Sequence, residues 1–470
     1  MSEVKKRCKY ESIYTGWKCP HEVLRDSGEG FCVFHERSKD KNLEEFNDGL
    51  RKIWENRESK VCHFEGFYFP ASIFFPSGEF KKDVHFEDAE FHGKITGFVS
   101  IRFSGENSSF WSAKFWGNST SFGDVKFSGK NAKFGLAQFS GQHTMFRDVI
   151  FSGENTVFSG SRFFGENMDF NDVRFLGDNV RFSGAQFGCR NTVFSKVKFP
   201  KKETCFTETK FVGERVLFDG CTFEGKMDFG NSVFQADTTF SKVDLRNCIL
   251  KGVDLKNIDF SLMNWDWKDK LGDELLLEDT LRKINSEEER YLRRRRRNEN
   301  YTRVGETYGQ LKVQFHNKRD FTKAGMFHFR EQECKREACK LPKDFVKWTL
   351  LRFLKWSCGY GEKLSKVLIS AVELIVAFAI IYMWWFGLYK EGAPVFRYKI
   401  SFNDTAPITT IIQDFLTSVS FSAKGFFPLW RFQQYEVVGD FANLVAGLEF
   451  LLGAFMVGLF IYVFRRRMEK

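Results

Sequence analysis

The amino-acid sequence predicts a multidomain membrane protein, in which a β-solenoid and a helical linker precede a C-terminal membrane domain. Three observations predict this arrangement. The chain has 470 residues, which is too long for one ordinary domain. Its central part repeats phenylalanine at a fixed period, and two apolar stretches near the C-terminus are each long enough to cross a bilayer. The opening MSEVKKRCKY has no apolar signal-peptide core, so we expect the first part to face the cytosol.

The composition narrows the function classes. The formal net charge of +10 is spread among many acids, so it suggests affinity for anionic surfaces without proving it. Eleven cysteines are scattered through a chain expected in the cytosol, where reduced thiols, some of them metal ligands, are more common than disulfides. There are only 8 histidines, and no nucleophile–base pair or phosphate loop stands out. We therefore do not expect an enzyme.

Phenylalanine recurs through the middle of the chain at spacings that alternate between seven and five residues. The repeat is therefore twelve residues long and contains two phenylalanines. Several units read F-S-G-x-N-x-x-F. Residues at both spacings cannot share one face of an α-helix or a flat strand, so the period predicts a coiled solenoid with one Phe on each short face. The glycines and asparagines of the longer faces suit tight corners. The positions are Phe103, Phe110, Phe115, Phe122, Phe127, Phe134, Phe139, Phe146, Phe151, Phe158, Phe163, Phe170, Phe175, Phe182, Phe187, Phe194, Phe199, Phe206, Phe211, Phe218 and Phe223.

Four faces make one turn of 24 residues, so every fourth Phe should stack in one column, with coils about 4.8 Å apart. After Phe240 the spacing settles to five, as in Val243-Asp244-Leu245-Arg246-Asn247. Here the sequence resembles the pentapeptide-repeat family, and the resemblance implies a right-handed quadrilateral β-helix over residues 61–265. The sequence departs from that family in its seven-residue faces and in Phe replacing Leu. One predicted column is Phe103, Phe127, Phe151, Phe175, Phe199 and Phe223.

We interpret the solenoid as a scaffold to which an unidentified cytosolic ligand or protein could bind. Some members of the pentapeptide-repeat family mimic DNA, which requires an acidic surface. The basic residues along these coils argue against that role, and nucleic acid is not expected as a partner. They are Lys114, Lys126, Lys130, Lys133, Arg147, Arg162 and Arg174.

Residues 1–60 contain a candidate metal site. Cys8, Cys19, Cys32 and His35 form the pattern C-x10-C-x12-C-x2-H. Three thiolates and one imidazole can complete a tetrahedral Zn²⁺ shell, and a segment too small for its own core gains stability from a structural metal. His21 could replace His35, although the C-x2-H spacing favours His35. The alternative is four reduced side chains without a metal.

Residues 266–362 are predicted to be a helical linker. An apolar stripe from Leu275 to Ile284 predicts one helix, and a hairpin of two helices should turn at residues 317–320. Between them stand the five consecutive arginines Arg293–Arg297. Such a run could bind anionic lipid or nucleic acid, but a solvated helix face is commoner, and no interleaved aromatics favour nucleic acid.

The membrane domain is assigned to residues 363–470, with spans at 367–388 and 441–464. Each span contains one ionisable residue, Glu373 and Glu449 respectively. A carboxylate is costly in hydrocarbon, so each should have a partner at a helix interface or a role in gating. Lysines and arginines precede the first span, and Arg465–Arg467 follow the second. By the positive-inside rule, both termini are expected on the cytoplasmic side of the cell membrane.

Between the spans lies a helix-compatible segment, 409–421, that is too short to cross, followed by a loop predicted at 422–428. This order resembles the two-span pore of potassium channels. The segment Ser420-Phe421-Ser422-Ala423-Lys424-Gly425-Phe426-Phe427 resembles their T-F-T-T-V-G-Y-G filter, position for position. Gly453, followed by Gly458, resembles the glycine hinge of their inner helix. The resemblance implies a homotetramer with a re-entrant pore helix and an inorganic ion as its permeant partner.

The departures from that filter are large. Lys424 stands where the family has Val, Phe426 where it has Tyr, and Phe427 where it has Gly. A ladder of carbonyl sites requires the lost residues, whereas a ring of four lysines is a means of selecting anions. We therefore expect a chloride-conducting pore that is gated from the cytosolic side. The alternatives are a non-selective or cation channel, and a membrane-anchored interaction scaffold that does not conduct.

A second potassium-channel signature, Gly359-Tyr360-Gly361, stands before the first span with no pore helix in front of it. A filter there would face the cytosol. We interpret this tripeptide as a loop.

Overall fold

The structure is a computed structural model that describes residues 6–56, 58–262, 265–283, 289–390, 392–396, 408–427 and 435–468. The chain divides into two compact units, Met1–Arg293 and Arg294–Lys470. The division falls inside the arginine run. The run lies within a helix, and the side chains of Arg293–Arg296 are outside the described part.

The first unit is built around a solenoid of short parallel strands. Strands one coil apart pair in register, so that Phe127 pairs with Phe151 and Phe151 with Phe175, which is the predicted 24-residue turn. One parallel sheet has nine strands: Val61–His63, Asp83–His85, Asn107–Ser109, Asn131–Lys133, Asn155–Val157, Asn179–Arg181, Glu203–Cys205, Lys226–Asp228 and Cys248–Ile249.

The other strands of the solenoid form two further parallel sheets in the described residues. The larger has fifteen strands: Tyr68–Phe69, Ile73–Phe74, Glu90–Phe91, Ile95–Gly97, Lys114–Phe115, Ser119–Ser121, Gln138–Phe139, His143–Met145, Arg162–Asp169, Gln186–Ser195, Lys210–Phe211, Arg215–Asp219, Val233–Phe234, Asp237–Ser241 and Ile258–Leu262. The smaller has five: Gly78–Phe80, Ile101–Phe103, Lys126–Phe127, Ile150–Phe151 and Arg174–Phe175.

The phenylalanines fill the interior in the predicted columns. Successive rings from Phe103 to Phe223 have centroids 5.0–5.7 Å apart. Neighbouring columns meet edge to face, as Phe134 does with Phe146 at 5.5 Å. Offset stacks and edge-to-face pairs are the favoured aromatic geometries, so one residue type can fill every layer of this core. The stacking of the Phe columns is therefore confirmed.

A ladder of asparagine side chains follows the long faces. The amide Nδ2 of Asn131 donates to Oδ1 of Asn107 at 3.0 Å, and Asn155 donates to Asn131 at 3.1 Å. Asn179 continues the ladder at 3.3 Å. Amides within the ladder both donate and accept along the solenoid axis, so these side chains satisfy one another's polar groups.

The glycines that stand two residues before these asparagines are required because successive coils come very close together there. A Cβ built on Gly129 would lie 1.7 Å from the carbonyl oxygen of Gly105, one coil earlier. The same collision recurs for Gly153 against Gly129 and for Gly177 against Gly153. A side chain at these positions would force two coils apart.

We expect Gly129→Ala to destabilise the solenoid by roughly 1–3 kcal/mol, the usual cost of forcing extra atoms into a packed site. Thermal unfolding of the full-length protein, followed by circular dichroism, measures the change. Gly123→Ala is the matched control, because a Cβ there meets only the Ser121 hydroxyl at 3.5 Å. An equal loss in both variants would contradict the close-approach explanation.

Both ends of the solenoid carry a helix. Near its start, α1 (Leu43–Glu55) has Asn42 as its N-cap and buries Phe46 and Leu50. Beyond the last coil, α2 (Gly272–Lys283) has Asp273 in its first turn, whose carboxylate accepts the backbone N–H of Leu250 at 2.7 Å. These contacts cover the terminal coils, whose open edges would otherwise be available for pairing.

The second unit is helical. It contains most of α3 (Glu289–Asn317), then α4 (Phe321–Glu337), α5 (Phe345–Cys358) and α6 (Leu364–Ile381), which continues as a π-helix through Tyr382–Phe386. A two-stranded ribbon of Leu388–Lys390 and Ala393–Phe396 follows, then α7 (Ile408–Phe426) and α8 (Asp440–Met468). The predicted hairpin turn at 317–320 is confirmed, since α3 ends at Asn317 and α4 begins at Phe321.

Two of these helices are long and apolar enough to cross a membrane. They are Leu364–Phe386, with 23 residues, and α8, with 29 residues, and each has a mean hydropathy of 2.3. Both correspond to predicted spans. Between α5 and α6, the residues Gly359, Tyr360 and Gly361 all have left-handed φ angles of 56°, 59° and 83°. The prediction that this tripeptide is a loop is confirmed.

Candidate functional site

The helix α7 ends halfway along the two apolar helices. A Cβ on Gly453 would lie 1.9 Å from the carbonyl oxygen of Phe426, so the last turn of α7 touches the backbone of α8. Gly453 is residue 14 of the 29 in α8. On the other side, the Ser422 hydroxyl lies 2.9 Å from the carbonyl oxygen of Ile375, which is residue 12 of 23 in Leu364–Phe386.

The predicted boundary between pore helix and filter loop is wrong. The helix was expected to end at residue 421, but α7 continues to Phe426, so Ser422 to Phe426 are helical. Their carbonyls therefore do not form an extended ladder of ion sites. The physical reason is packing: Phe426 is 1% exposed, in a cluster with Val367 and Met456, and the helical turn brings it there. Phe427 follows the helix, and Pro428 lies outside the described residues.

Glu449 is buried at the junction of three helical segments. Its carboxylate accepts a hydrogen bond from the Tyr382 hydroxyl at 2.6 Å, and the Ser422 hydroxyl donates to its other oxygen. A Cβ on Gly425 would lie 3.3 Å from the same carboxylate, so glycine leaves room for it. The carboxylate, which is 1% exposed, thus ties α7 and α8 to the end of α6.

Glu373 is exposed on α6 and accepts a hydrogen bond from the Trp356 indole at 2.8 Å. Both acids of the predicted spans therefore have partners within the chain. The sequence required such partners but did not identify Tyr382 or Trp356, which nothing in the residue pattern distinguishes from the many other aromatics.

Lys424 lies in the last turn of α7 and is half-buried. It continues the i, i+4 row of Ile412, Leu416 and Ser420. Ile412 is 53% exposed, Leu416 is 60% exposed, and Ser420 is also exposed. The chain's own helices thus leave most of this row open, while Ser422 and Phe426 pack on α6 and α8.

The predicted hinge glycines differ in their surroundings. Gly453 makes the close contact with α7 described above and lies within an unbroken helix. For Gly458 and also Gly447, no described atom lies within 4 Å of a Cβ built on the residue. Gly453 therefore allows close approach of two elements within the chain, and the other two leave open surface on α8.

The loop before α6 is fixed to the helical hairpin. The Glu333 carboxylate on α4 accepts a hydrogen bond from the Tyr360 hydroxyl at 2.6 Å and forms an ion pair with Lys355 of α5. Nearby on α4, burial raises the pKa of Glu331, but hydrogen bonds from His328, Lys312 and Lys335 outweigh it and hold that pKa well below its usual range. The hairpin and the segment leading into α6 are thus joined by buried charged contacts.

The same unit contains a cavity of about 630 Å³ between the hairpin and the end of α8. Its wall combines basic side chains with apolar ones. Arg466 of α8 contributes to it and also forms an ion pair with Glu362 at 2.6 Å. The lining residues include Lys312, Val313, His316, Phe321, His328 and Arg466.

In the first unit, Cys8, Cys19, Cys32 and His35 come together as predicted. All four are buried, and their ligand atoms lie within 4.8 Å of one another. The Nδ1 of His35 is 3.5 Å from Sγ of Cys8 and 3.3 Å from Sγ of Cys32, and the Sγ atoms of Cys19 and Cys32 are 3.7 Å apart. His21 instead meets Phe34 edge to face.

The orientation of the His35 ring is fixed by the contacts of its second nitrogen and of its ring face. Its Nε2 is 2.8 Å from the carbonyl oxygen of Glu65, and its ring stacks on Tyr10 with centroids 4.0 Å apart. Metal-binding histidines are commonly held in this way, with the second nitrogen bonded to a carbonyl. Burial, and then the charges of Asp88, Glu65 and Glu87, raise the pKa of Tyr10. Three cysteine thiols and one oriented imidazole form a donor set that fits a tetrahedral metal ion of the Cys₃His class.

No protein-family model, curated protein or solved structure matches this chain significantly.

Proposed function

We propose that the chain is the subunit of an ion channel, in which the second unit forms the pore domain and the first is a cytosolic scaffold. The observation that carries the proposal is the position of α7, whose last turn contacts Gly453 and Ile375, near the middle of the two apolar helices. A helix that ends at mid-depth between two spans is the arrangement expected of a re-entrant pore helix. Irregular backbone at that depth is tolerated only where protein or water surrounds it.

Membrane insertion is supported by the surface of the second unit. In α8, Leu444, Leu451 and Ile461 are 59%, 63% and 59% exposed, which would be costly in water. Trp384 and Trp385, at the end of α6, are 60% and 80% exposed, and exposed tryptophans are typical of the membrane–water interface. The basic residues before α6 and in the last turn of α8 favour cytoplasmic termini and contact with lipid head groups.

Four copies around an axis would form the pore, as the resemblance to potassium channels implies. Gly447 and Gly458 have no side chain, and no described atom lies within 4 Å of a Cβ built on either. A neighbouring helix could therefore pack closely against α8 at these two positions. The open row of α7 that ends at Lys424 would then face the axis or a neighbour. Each subunit would also carry one right-handed quadrilateral solenoid.

We propose chloride as the permeant ion, with Lys424 as the determinant of selectivity. Four lysines at the ends of four α7 helices form a cationic ring, and such rings select anions. The helical conformation of Ser422 to Phe426 also argues against a potassium filter, because helical carbonyls are not free to replace the water around a cation.

The selectivity is tested in planar bilayers that contain the purified tetramer under a tenfold KCl gradient. We expect reversal near the chloride potential, about 59 mV from zero, and we expect Lys424→Glu to move it toward or beyond zero. Lys390→Glu, at an exposed ribbon residue, is the control for general surface charge. Reversal near the potassium potential in the wild type would contradict the anion proposal, and an intermediate value would indicate a non-selective pore. Silence of every folded, tetrameric variant would favour the non-conducting membrane anchor.

Gating is proposed to act through α3 and α4. Arg466 of α8 lines the cavity of the hairpin, and Glu333 joins the hairpin to the segment that leads into α6. A cytosolic ligand, lipid or partner protein that moved the hairpin would therefore act on both spans. The solenoid is the proposed binding surface for such a partner.

We further propose that the Cys₃His cluster binds a structural Zn²⁺. All four donors would be used by a tetrahedral ion, which leaves no open position for chemistry. We expect zinc in the purified wild-type protein and one zinc fewer per chain in Cys32→Ser, with easier proteolysis before residue 60. Elemental analysis of the purified protein measures this. Cys339→Ser, which lies in the second unit, is the matched control and should retain the metal. A wild-type protein without zinc would contradict the proposal.

A further inference from the structure

The two coils of the solenoid nearest the N-terminal cap, which is residues 1–60, repeat the tripeptide His-Phe-Glu. His63 pairs with His85 in the parallel register, so Glu65 and Glu87 stand above one another. The two imidazole rings stack with centroids 5.7 Å apart. In the next coil the position opposite His85 is Ser109, so the pattern is confined to the two coils beside the cap.

The side chains of these tripeptides converge on one point. The potential ligand atoms of Glu65, His85 and Glu87 lie within 4.8 Å of one another. The Nδ1 of His63 is 3.0 Å from the Glu65 carboxylate, and the Nδ1 of His85 is 3.0 Å from the Glu87 carboxylate. The cluster thus holds two carboxylates and two imidazoles.

The cap shields the two carboxylates of this cluster from solvent, whereas the His63 and His85 side chains stay partly exposed. The Thr15 hydroxyl donates to the Glu65 carboxylate at 3.1 Å, and Trp17 stacks on His63 at 4.7 Å. As a result Glu65 is 0% exposed and Glu87 is 5% exposed. The two carboxylates are thus buried next to each other.

In the described part of the chain, the basic side chains paired with these carboxylates are His63 and His85. Among the described residues, no lysine or arginine forms an ion pair with Glu65 or Glu87; only the two histidines do. One oxygen of Glu87, Oε2, is buried with no hydrogen-bond partner. An unpaired carboxylate oxygen of this kind is costly, and buried acids are usually paired or bind a metal.

We propose that Glu65, His85 and Glu87 form a second metal site, for a divalent first-row transition ion, with His63 held beside it on the Glu65 carboxylate. The two carboxylates match its charge, and the mixed nitrogen and oxygen donors favour Mn²⁺, Fe²⁺, Co²⁺ or Zn²⁺ over Mg²⁺ or Ca²⁺, which prefer oxygen alone. An ion about 2.1 Å from each donor requires donors within about 4.2 Å of one another, so only a small inward shift of Glu65, His85 and Glu87, now within 4.8 Å, is needed to hold the ion.

This site is joined to the Cys₃His cluster through one residue. The carbonyl of Glu65 accepts the Nε2 hydrogen of His35, while its carboxylate belongs to the second site. Metal at the second site would hold Glu65 in place and so orient His35. The pair of sites would fasten the cap to the first two coils of the solenoid.

The probe for this proposal is Co²⁺, added by equilibrium dialysis to the metal-depleted full-length protein. Elemental analysis gives the stoichiometry, and the thiolate-to-cobalt absorption reports the Cys₃His cluster separately. We expect two cobalt ions per wild-type chain. Glu87→Gln should lose one of them, with affinity at that site reduced at least about tenfold, and should keep the thiolate absorption. The matched control is Glu154→Gln, at an exposed glutamate of the same solenoid, which should bind two.

The thiolate band also reports whether the cap is folded in each variant. If Glu87→Gln lost that band, His85→Asn would serve as the second variant, with the same expected loss of one ion. A wild-type chain that binds only the thiolate-ligated cobalt would overturn the proposal. So would variants at Glu87 and His85 that both retain two ions, or complete displacement of the second cobalt by a hundredfold excess of Mg²⁺.

Discussion

Phe134→Ala is expected to destabilise the solenoid by about 3–5 kcal/mol, the usual cost of removing a buried phenylalanine. The Phe134 ring is 0% exposed and stacks between Phe110 at 4.9 Å and Phe158 at 4.8 Å. It also meets Phe122 and Phe146 edge to face. Its neighbours are held by their own strands and can fill little of the resulting cavity.

The solenoid is a one-dimensional stack, so this loss should divide it. We expect chemical unfolding to change from one transition to two, and hydrogen exchange to rise in the coils on both sides of residue 134. The matched control is Phe74→Ala, because Phe74 is on a solenoid strand but 65% exposed, and it should cost much less. Equal effects of the two substitutions would contradict the column as the main source of stability.

Gly453→Ala is expected to abolish conduction and to destabilise the second unit by roughly 1–3 kcal/mol. The new Cβ would lie 1.9 Å from the Phe426 carbonyl oxygen, so α7 and α8 must separate by about 1.5 Å to reach the 3.4 Å of ordinary contact. That movement shifts Lys424 and pulls Ser422 away from Glu449. Single-channel recording and thermal unfolding of the detergent-purified protein measure the two effects.

Gly447→Ala and Gly458→Ala are the controls, because neither Cβ would meet a described atom of the chain within 4 Å. Both should leave the fold of the subunit unchanged. A loss of tetramers in either variant, with the subunit still folded, would place that glycine against a neighbouring copy. If Gly453→Ala conducted like the wild type, the contact between α7 and α8 would not be part of the conducting state.

Much of the architecture follows from local sequence. The twelve-residue period determines the Phe columns, because a ring at each face can be buried only if coils stack every 24 residues. The turn between α3 and α4 is readable because polar residues 317–320 interrupt two apolar stripes. Gly359-Tyr360-Gly361 is recognisable as a loop because no pore helix precedes it. The C-x2-H spacing favours His35 over His21 as a member of the cysteine cluster, and His35 is the histidine that lies there.

Local sequence did not predict the helical conformation of residues 422–426. Gly425, followed by Phe427 and Pro428, is a normal signal for the end of a helix, and the filter resemblance favoured a loop. The helix continues because Phe426 gains a buried site against α6 and α8, and because Gly425 leaves space for Glu449. Tertiary packing outweighs the local preference of one glycine.

The partners of the buried acids were likewise decided only by the fold. The sequence implies that Glu449 needs a donor, but Tyr382 and Ser422 lie 67 and 27 residues away and meet it only when three helices pack. The sequence alone does not distinguish the two His-Phe-Glu tripeptides from the other faces of the solenoid, because each is centred on a Phe like the others. The parallel register places Glu65 above Glu87 and the cap closes over them, and burial then makes their charge significant. Periodicity thus determined which residues lie inside, whereas the contacts between distant segments decided which buried polar groups face one another.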